Sequence, residues 1–246
     1  MFGLAIGSFL NVVAYRVPND RSVVSPPSSC SSCKQRIRPR DNIPIVSWFL
    51  LRGRCRQCGS PFSFRYPLVE GLTGVLFAIT TLVVGFRWHL PAHLWFVGLT
   101  LVLILTDLDH HRIPNRILLP GTVGGVVLLA IGAALEGRIV DVGIGVVAGA
   151  ANFILFLIIA LGARGGFGMG DVKLAFILGV FTGYHAWAFT AVGSFLAFLI
   201  GGLVSIVLLI ARRRGRKDAI PFGPPMIVGA WLAIVWGRDL LDWYLG

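Results

Sequence analysis

The stretch Pro91-Ala-His-Leu-Trp-Phe-Val-Gly-Leu-Thr-Leu-Val-Leu-Ile-Leu-Thr106, closed by Asp107-Leu108-Asp109, decides the class of fold. It runs without a single Asp, Glu, Lys or Arg and then meets two acids. A helix crossing the hydrocarbon core needs about 20 largely apolar residues, fewer where the bilayer thins or flanking side chains snorkel. The run therefore reads as a membrane helix whose acids mark its return to a polar boundary. Working outward, the same yardstick finds seven more spans, at 2–15, 68–86, 116–135, 140–161, 172–184, 186–211 and 220–236. Of the 246 residues, 56% are hydrophobic and 13% charged, and the mean hydropathy is +0.80. A soluble domain with that balance would expose far too much apolar surface. The expected fold is an all-α polytopic membrane protein of about eight transmembrane helices with one small cytoplasmic insertion. Residues 1–15 form the first helix, 16–67 the insertion and 68–246 the remaining bundle. The first span is short, so either residues precede Met1 or the helix tilts through a thinner bilayer. It lacks a basic lead-in and a small-residue cleavage site, and is read as an anchor.

Cytoplasmic loops retain an excess of Lys and Arg. Eight spans put all but three of the 22 basic residues on one side, leaving Arg87, Arg138 and Arg238 on the other. The insertion and the segments around Asp107 and Asp171 are thus expected in the cytoplasm, with both termini outward. The net charge of +11 reads as a topology signal and an attraction to anionic headgroups rather than as a nucleic-acid surface. Many of the 31 glycines lie within the spans, where small residues let helix backbones approach.

All four cysteines fall in the insertion, as Cys30-Ser-Ser-Cys33 and Cys55-Arg-Gln-Cys58. Two thiolates from each of two tight turns can close a tetrahedral shell around Zn2+. A reducing cytoplasm disfavours the competing disulfides. Four sulfurs leave no open coordination position, so the zinc is expected to staple a short domain with little core rather than to do chemistry.

Ionisable groups near bilayer depth are costly and point to function. Glu70 opens the second span, Asp107 and Asp109 close the third, and Asp171 opens the sixth. On the topology above all four lie at cytoplasmic helix ends. Each could instead cap or anchor its helix: Asp171 through the helix dipole, Asp109 by pairing with Arg112. Gly168 and Gly170 beside Asp171 permit unusual torsions or close approach of another chain, and Pro114 interrupts regular helix after Asp109. Such surroundings suit an extended peptide. Two carboxyls meeting in a poorly solvated site share one proton, so one can act as base on a water while the other hydrogen-bonds a scissile carbonyl. His110 and His111 are adjacent, so their side chains diverge, which argues against a metal there. A transporter would need polar residues distributed through the bilayer depth, and the mid-spans are almost purely apolar. A noncatalytic scaffold would account for the cysteines but not for the acids.

Taken together, Gly7-Ser-Phe-Leu-Asn-Val-Val13, Arg16-Val-Pro18, the paired Cys-x-x-Cys turns, Tyr66-Pro-Leu-Val-Glu70, Asp107 with Ile113-Pro-Asn115, Gly168-Met-Gly-Asp171 and Ile220-Pro-Phe-Gly-Pro224 resemble the bifunctional type IV prepilin peptidases. The resemblance spans nearly the whole chain. The Gly-x-Gly-Asp element alone is weak, since other intramembrane aspartic proteases carry it; the ordered series is specific. It implies that Asp107 and Asp171 are the catalytic pair, supported by Asp109, Gly168, Gly170, Lys173, Pro114 and Asn115. It implies as substrate a prepilin or pseudopilin with a basic leader, cut after glycine at the cytoplasmic face of the bacterial inner membrane. The new N-terminus would be methylated from S-adenosylmethionine, with the insertion as the methylation part and Glu70 in a methylation or structural role. No Gly-rich nucleotide signature is present.

Overall fold

The structure, a computed structural model, describes residues 1–162, 168–211 and 221–245. Arg164, the basic run from Arg212 to Lys217, and Ile220, all used in the topology argument, lie outside the described residues. Within them are nine α-helices: α1 Phe2–Arg16, α2 Val46–Leu50, α3 Arg65–Val84, α4 Leu90–His110, α5 Asn115–Leu135, α6 Ile139–Gly162, α7 Met169–His185, α8 Trp187–Ile210 and α9 Gly223–Leu245. Eight are long and fall on the eight expected spans; α2 is a short helix within the insertion. By length and composition α3, α4, α5, α6 and α8 suffice to cross a membrane. The chain is a multi-pass helical membrane protein. Its last helix runs past the expected end at 236 as far as Leu245, through Arg238, Asp239 and Asp242. Helical hydrogen bonding does not stop where apolarity stops.

Local chemistry sets the helix ends. Pro91 sits in the first turn of α4, where its missing N–H costs no hydrogen bond. His111, left-handed at φ 50°, closes the helix and donates its N–H to the Asp107 carbonyl at 2.8 Å. Pro114, extended at φ −72° and ψ 125°, holds the N-cap of α5. This is the break expected from Pro114.

The chain forms two compact units, Met1–Gly85 and Phe86–Gly246. In the first, α1 packs on α3 through glycine: a Cβ on Gly7 would stand 2.7 Å from Glu70 Cα, and one on Gly3 3.0 Å from Gly74 Cα. Asn11 Nδ2 donates to the Tyr66 carbonyl at 3.4 Å, joining the same pair. In the second unit α6 and α7 meet backbone to backbone. A Cβ on Gly145 would lie 2.6 Å from the Val180 carbonyl oxygen, and one on Gly149 2.7 Å from that of Phe176. Lipid tails supply no hydrophobic drive for such pairing, so close approach and dispersion hold it. Among the candidate spans α4 is 72% buried, against 17–39% for the others.

Candidate active site

Asp107 lies in the last turn of α4 and is 5% exposed. Asp171 lies in the first turn of α7, partly buried. The connection from α4 to α5 brings these ends together. A Cβ on Gly170 would stand 3.0 Å from Ile113 Cβ, and one on Gly223 3.4 Å from Ile113 Cδ1. One isoleucine thus seats on the glycine before Asp171 and on the glycine that opens α9. The backbone N–H of Gly223 donates to Asp107 Oδ2 at 3.2 Å. A side chain at 223 would put its Cβ 2.7 Å from that oxygen, so the contact requires glycine. The charges of Asp107 and Asp171 act on one another, and neither carboxylate has an ion pair among the described residues.

Helix stabilisation does not account for Asp107, whereas Asp171, in the first turn of α7, lies where the helix dipole favours a carboxylate. Gly168 holds the N-cap of α7 and no side chain caps that end. A carboxylate at the C-terminus of α4 opposes the helix dipole. Of the two readings of the neighbouring glycines, Gly170 serves close approach, whereas Gly168 has an ordinary φ of −80°. Lys173 Nζ donates to Asn115 Oδ1 at 3.2 Å, tying the start of α7 to the start of α5. Asp109 is exposed; two residues along a helix turn it about 200° away from Asp107. His110 and His111 are exposed as well and form no metal-ligand cluster among the described residues. Two contributors escaped the sequence reading as individual residues: Gly223 as a donor and Ile113 as the wedge. Both stand in quoted motifs, but only the fold shows what each touches.

Glu70 belongs to the first unit, is 7% exposed and accepts the Ile45 N–H at 2.6 Å on Oε2. Ile45 has φ 62° and ψ −55°, with the Val46 N–H bonded to the Pro44 carbonyl at 2.6 Å. This is the rare positive-φ γ-turn, strained for a β-branched residue. The buried carboxylate therefore docks a strained turn of the insertion onto α3.

The cysteine turns are twins. Lys34 and Gly59 take positive φ, 59° and 70°, immediately after Cys33 and Cys58. Their N–H groups bond the Cys30 and Cys55 carbonyls, each at 3.0 Å. The Cys30 N–H bonds the Gln35 carbonyl at 2.9 Å, and the Cys55 N–H bonds that of Ser60 at 2.8 Å. All four Sγ atoms lie within 4.8 Å of one another. A tetrahedral Zn2+ with Zn–S near 2.3 Å would set them roughly 3.8 Å apart, so the cluster fits such an ion. The Ser60 hydroxyl, foremost, pulls the Cys30 thiol down to about 5 and also lowers Cys58. Cys33, although the Gln35 N–H favours its thiolate, is pushed up to about 11 by desolvation and the neighbouring sulfurs. The crowded sulfurs resist ionising together without a cation to compensate them.

Residues 1–84 match the bacterial peptidase A24 N-terminal domain, and residues 94–208 match the type IV leader peptidase family. The first match ends one residue short of the first compact unit. A prepilin leader peptidase/N-methyltransferase of Aeromonas hydrophila is 33% identical over 274 residues, covering 100% of this chain and 92% of the relative. A Bacillus subtilis (strain 168) protein of the same name is 32% identical over 245 residues, covering 100% and 96%. One from Pseudomonas aeruginosa is 31% identical over 270 residues, covering 100% and 91%. No solved structure matches the chain. Full-length likeness at this identity, together with the paired acids and the four-cysteine insertion, means that the chain belongs to the type IV leader peptidase family.

Proposed function

We propose that this chain removes the basic leader of type IV prepilins or pseudopilins and then methylates the new N-terminal residue. The cut falls after glycine at the cytoplasmic face of the bacterial inner membrane, and the methyl group comes from S-adenosylmethionine. The observation that carries the peptidase half is the meeting of Asp107 and Asp171 at one end of the second unit, joined through Ile113 and Gly223. The names of the full-length relatives support both halves.

A peptide bond in a membrane helix is shielded by its own hydrogen bonds, so cutting it at the polar border demands less unwinding. The substrate's apolar helix stays in the lipid and its leader lies extended across the two aspartates. One carboxylate takes a proton from the attacking water while the other, protonated, polarises the scissile carbonyl. The Gly223 N–H holds the Asp107 carboxylate in place. Asp109, Gly168, Gly170, Pro114 and the Lys173–Asn115 pair shape the rim. Cys30, Cys33, Cys55 and Cys58 hold a structural Zn2+ that folds the insertion, the part assigned to methylation. The zinc supplies cross-linking and no chemistry.

The test incubates the purified full chain with candidate prepilins and S-adenosylmethionine and reads the product N-terminus by mass spectrometry. Leader loss with a methyl increment is expected. Leader loss alone would retain the peptidase and remove the methyltransferase. Cleavage by both Asp107→Asn and Asp171→Asn would overturn the pair. Ion flux through proteoliposomes dependent on either aspartate would favour a transporter instead.

A further inference from the structure

The same two helices that carry the aspartates carry a second polar cluster at their other ends. His93, in the first turn of α4 and 1% exposed, meets His185, the last residue of α7, with Nε2 atoms 2.9 Å apart. The protons can be assigned from the partners. His93 Nδ1 faces the His89 carbonyl at 3.0 Å, and a carbonyl only accepts, so Nδ1 carries the hydrogen. The neutral ring then presents a lone pair at Nε2, and His185 donates its Nε2–H to it. Glu136, in the α5–α6 connection, holds the residues just before α4. It accepts the Trp88 N–H at 2.6 Å and faces His89 Nδ1 at 2.8 Å. Arg138 bonds Asp141 at 2.7 Å and lies 4.9 Å over the Tyr184 ring.

The spacing along the helices gives this pair its meaning. His93 precedes Asp107 by the same interval as Asp171 precedes His185, two heptads in each case. Two heptads of helix rise roughly 21 Å and turn about 40° short of four full turns. Each helix therefore presents its histidine and its aspartate on nearly the same face. Because the helices run antiparallel, matched imidazoles at one end imply matched carboxyls at the other. Between the ends, α4 and α7 meet through large side chains, not glycines. Phe96 stacks on Phe181 with centroids 4.3 Å apart and planes 13° from parallel, and His93 meets Phe181 edge-on at 5.5 Å. A flat ring stack allows sliding along the helix axis. A hydrogen bond between two ring nitrogens does not.

We propose that the His93–His185 hydrogen bond is a register clamp: it fixes α4 against α7 so that Asp107 and Asp171 oppose each other, making the two histidines positioning residues for leader cleavage. The proposal rests on the aspartate pair being catalytic. Its mechanism is geometric, since a small slide at one end of two stiff helices is passed to the other. Misplacement by about 1 Å can cost on the order of 100-fold in rate.

The experiment measures kcat and KM for prepilin cleavage by the full chain in lipid nanodiscs, with thermal midpoints recorded alongside. His185→Phe is expected to lower kcat about ten- to a hundredfold with KM within about twofold. The double variant His93→Gln/His185→Gln, whose amides can bond each other, is expected to restore most of kcat. Where His185→Phe does not fold, His185→Asn, whose shorter amide does not reach His93, takes its place. Wild-type kcat in the folded single variant overturns the clamp, as does a kcat loss that the double amide leaves unrepaired. Asp171→Asn run in parallel separates the two claims. Full cleavage there sinks the aspartate pair, whereas a dead Asp171→Asn beside a fully active His185→Phe sinks the clamp alone.

Discussion

At one end of α4 and α7 two carboxyls interact with a backbone N–H as the hydrogen-bond donor to Asp107. At the other end, two heptads away on each helix, two imidazoles bond each other while Glu136 is matched by His89 and Arg138 by Asp141. Buried polar groups that find partners rigidify a fold; the imidazoles and charged groups here do so, while the Tyr184 hydroxyl beside them is buried without one. Buried ionisable groups without such compensation are the usual mark of chemistry. The contrast assigns stability to the histidine end and reactivity to the aspartate end, on the same pair of helices. The interface between α6 and α7 shows the alternative way of fixing a helix pair. There glycines bring the backbones into contact, and Asn152 Nδ2 donates to the Ala175 carbonyl at 2.9 Å across the same interface.

The largest test of this contrast removes the reactive end. Asp171→Asn is expected to cut the cleavage rate by about 10²–10⁴-fold, the usual contribution of general acid–base catalysis. The thermal midpoint should hold or rise, because a partly buried carboxyl has been replaced by a neutral amide. A fall in midpoint would show that Asp171 carries stability after all. Next comes the neighbour of the other acid. Gly223→Ala drives a methyl against Asp107 Oδ2 and is expected to reduce kcat by about 100-fold, with KM little changed and the cysteine unit's metal content untouched.

A smaller effect is expected at the histidine end. Glu136→Gln removes a charge-assisted acceptor and should cost about 1.5–3 kcal/mol in unfolding experiments at neutral pH. Burial pushes the Glu136 carboxyl up, but the bonds from His89 and the Trp88 N–H outweigh it and hold the group below the usual carboxylate range. A carboxylate held low in the folded state contributes stability above its unfolded pKa and loses it as pH falls through the folded one. The difference between Glu136→Gln and the native chain should accordingly close in acid and remain open at neutral pH; a gap that widens on acidification would reverse the assignment. The smallest effect lies outside both ends. Asp41 pairs with Arg56 at 2.7 Å on the surface of the cysteine module, and Arg56 first among its neighbours holds its carboxyl low. Arg56→Ala should barely move the unfolding midpoint, most visibly at low salt and above the Asp range, since exposed pairs of this kind are screened.

Much of this molecule is legible without coordinates. In lipid every backbone polar group must bond within its own helix, so an apolar run of sufficient length has one outcome; that is why eight runs became eight helices. The cysteine turns are equally local, since each Cys-x-x-Cys turn places both of its own sulfurs. Regular helix is interrupted before Pro114, with α4 closing at His111 and Pro114 holding the N-cap of α5. Boundaries were less legible: α9 passes through three charges because its hydrogen bonds continue into water.

What the chain order does not contain is which groups meet. Four acids at helix ends looked alike, yet Asp109 turns away, Glu70 is occupied by the strained turn at Ile45, and Asp107 and Asp171 come together through Ile113 and Gly223. The equal spacing of His93 to Asp107 and of Asp171 to His185 is visible in the sequence. It becomes a physical statement only once α4 and α7 are laid antiparallel, side chain to side chain. Local rules determine an element because its hydrogen bonds and its solvent lie within a few residues. A site assembled from helix ends remote from one another in the chain depends on packing between elements, and that is decided by the tertiary structure.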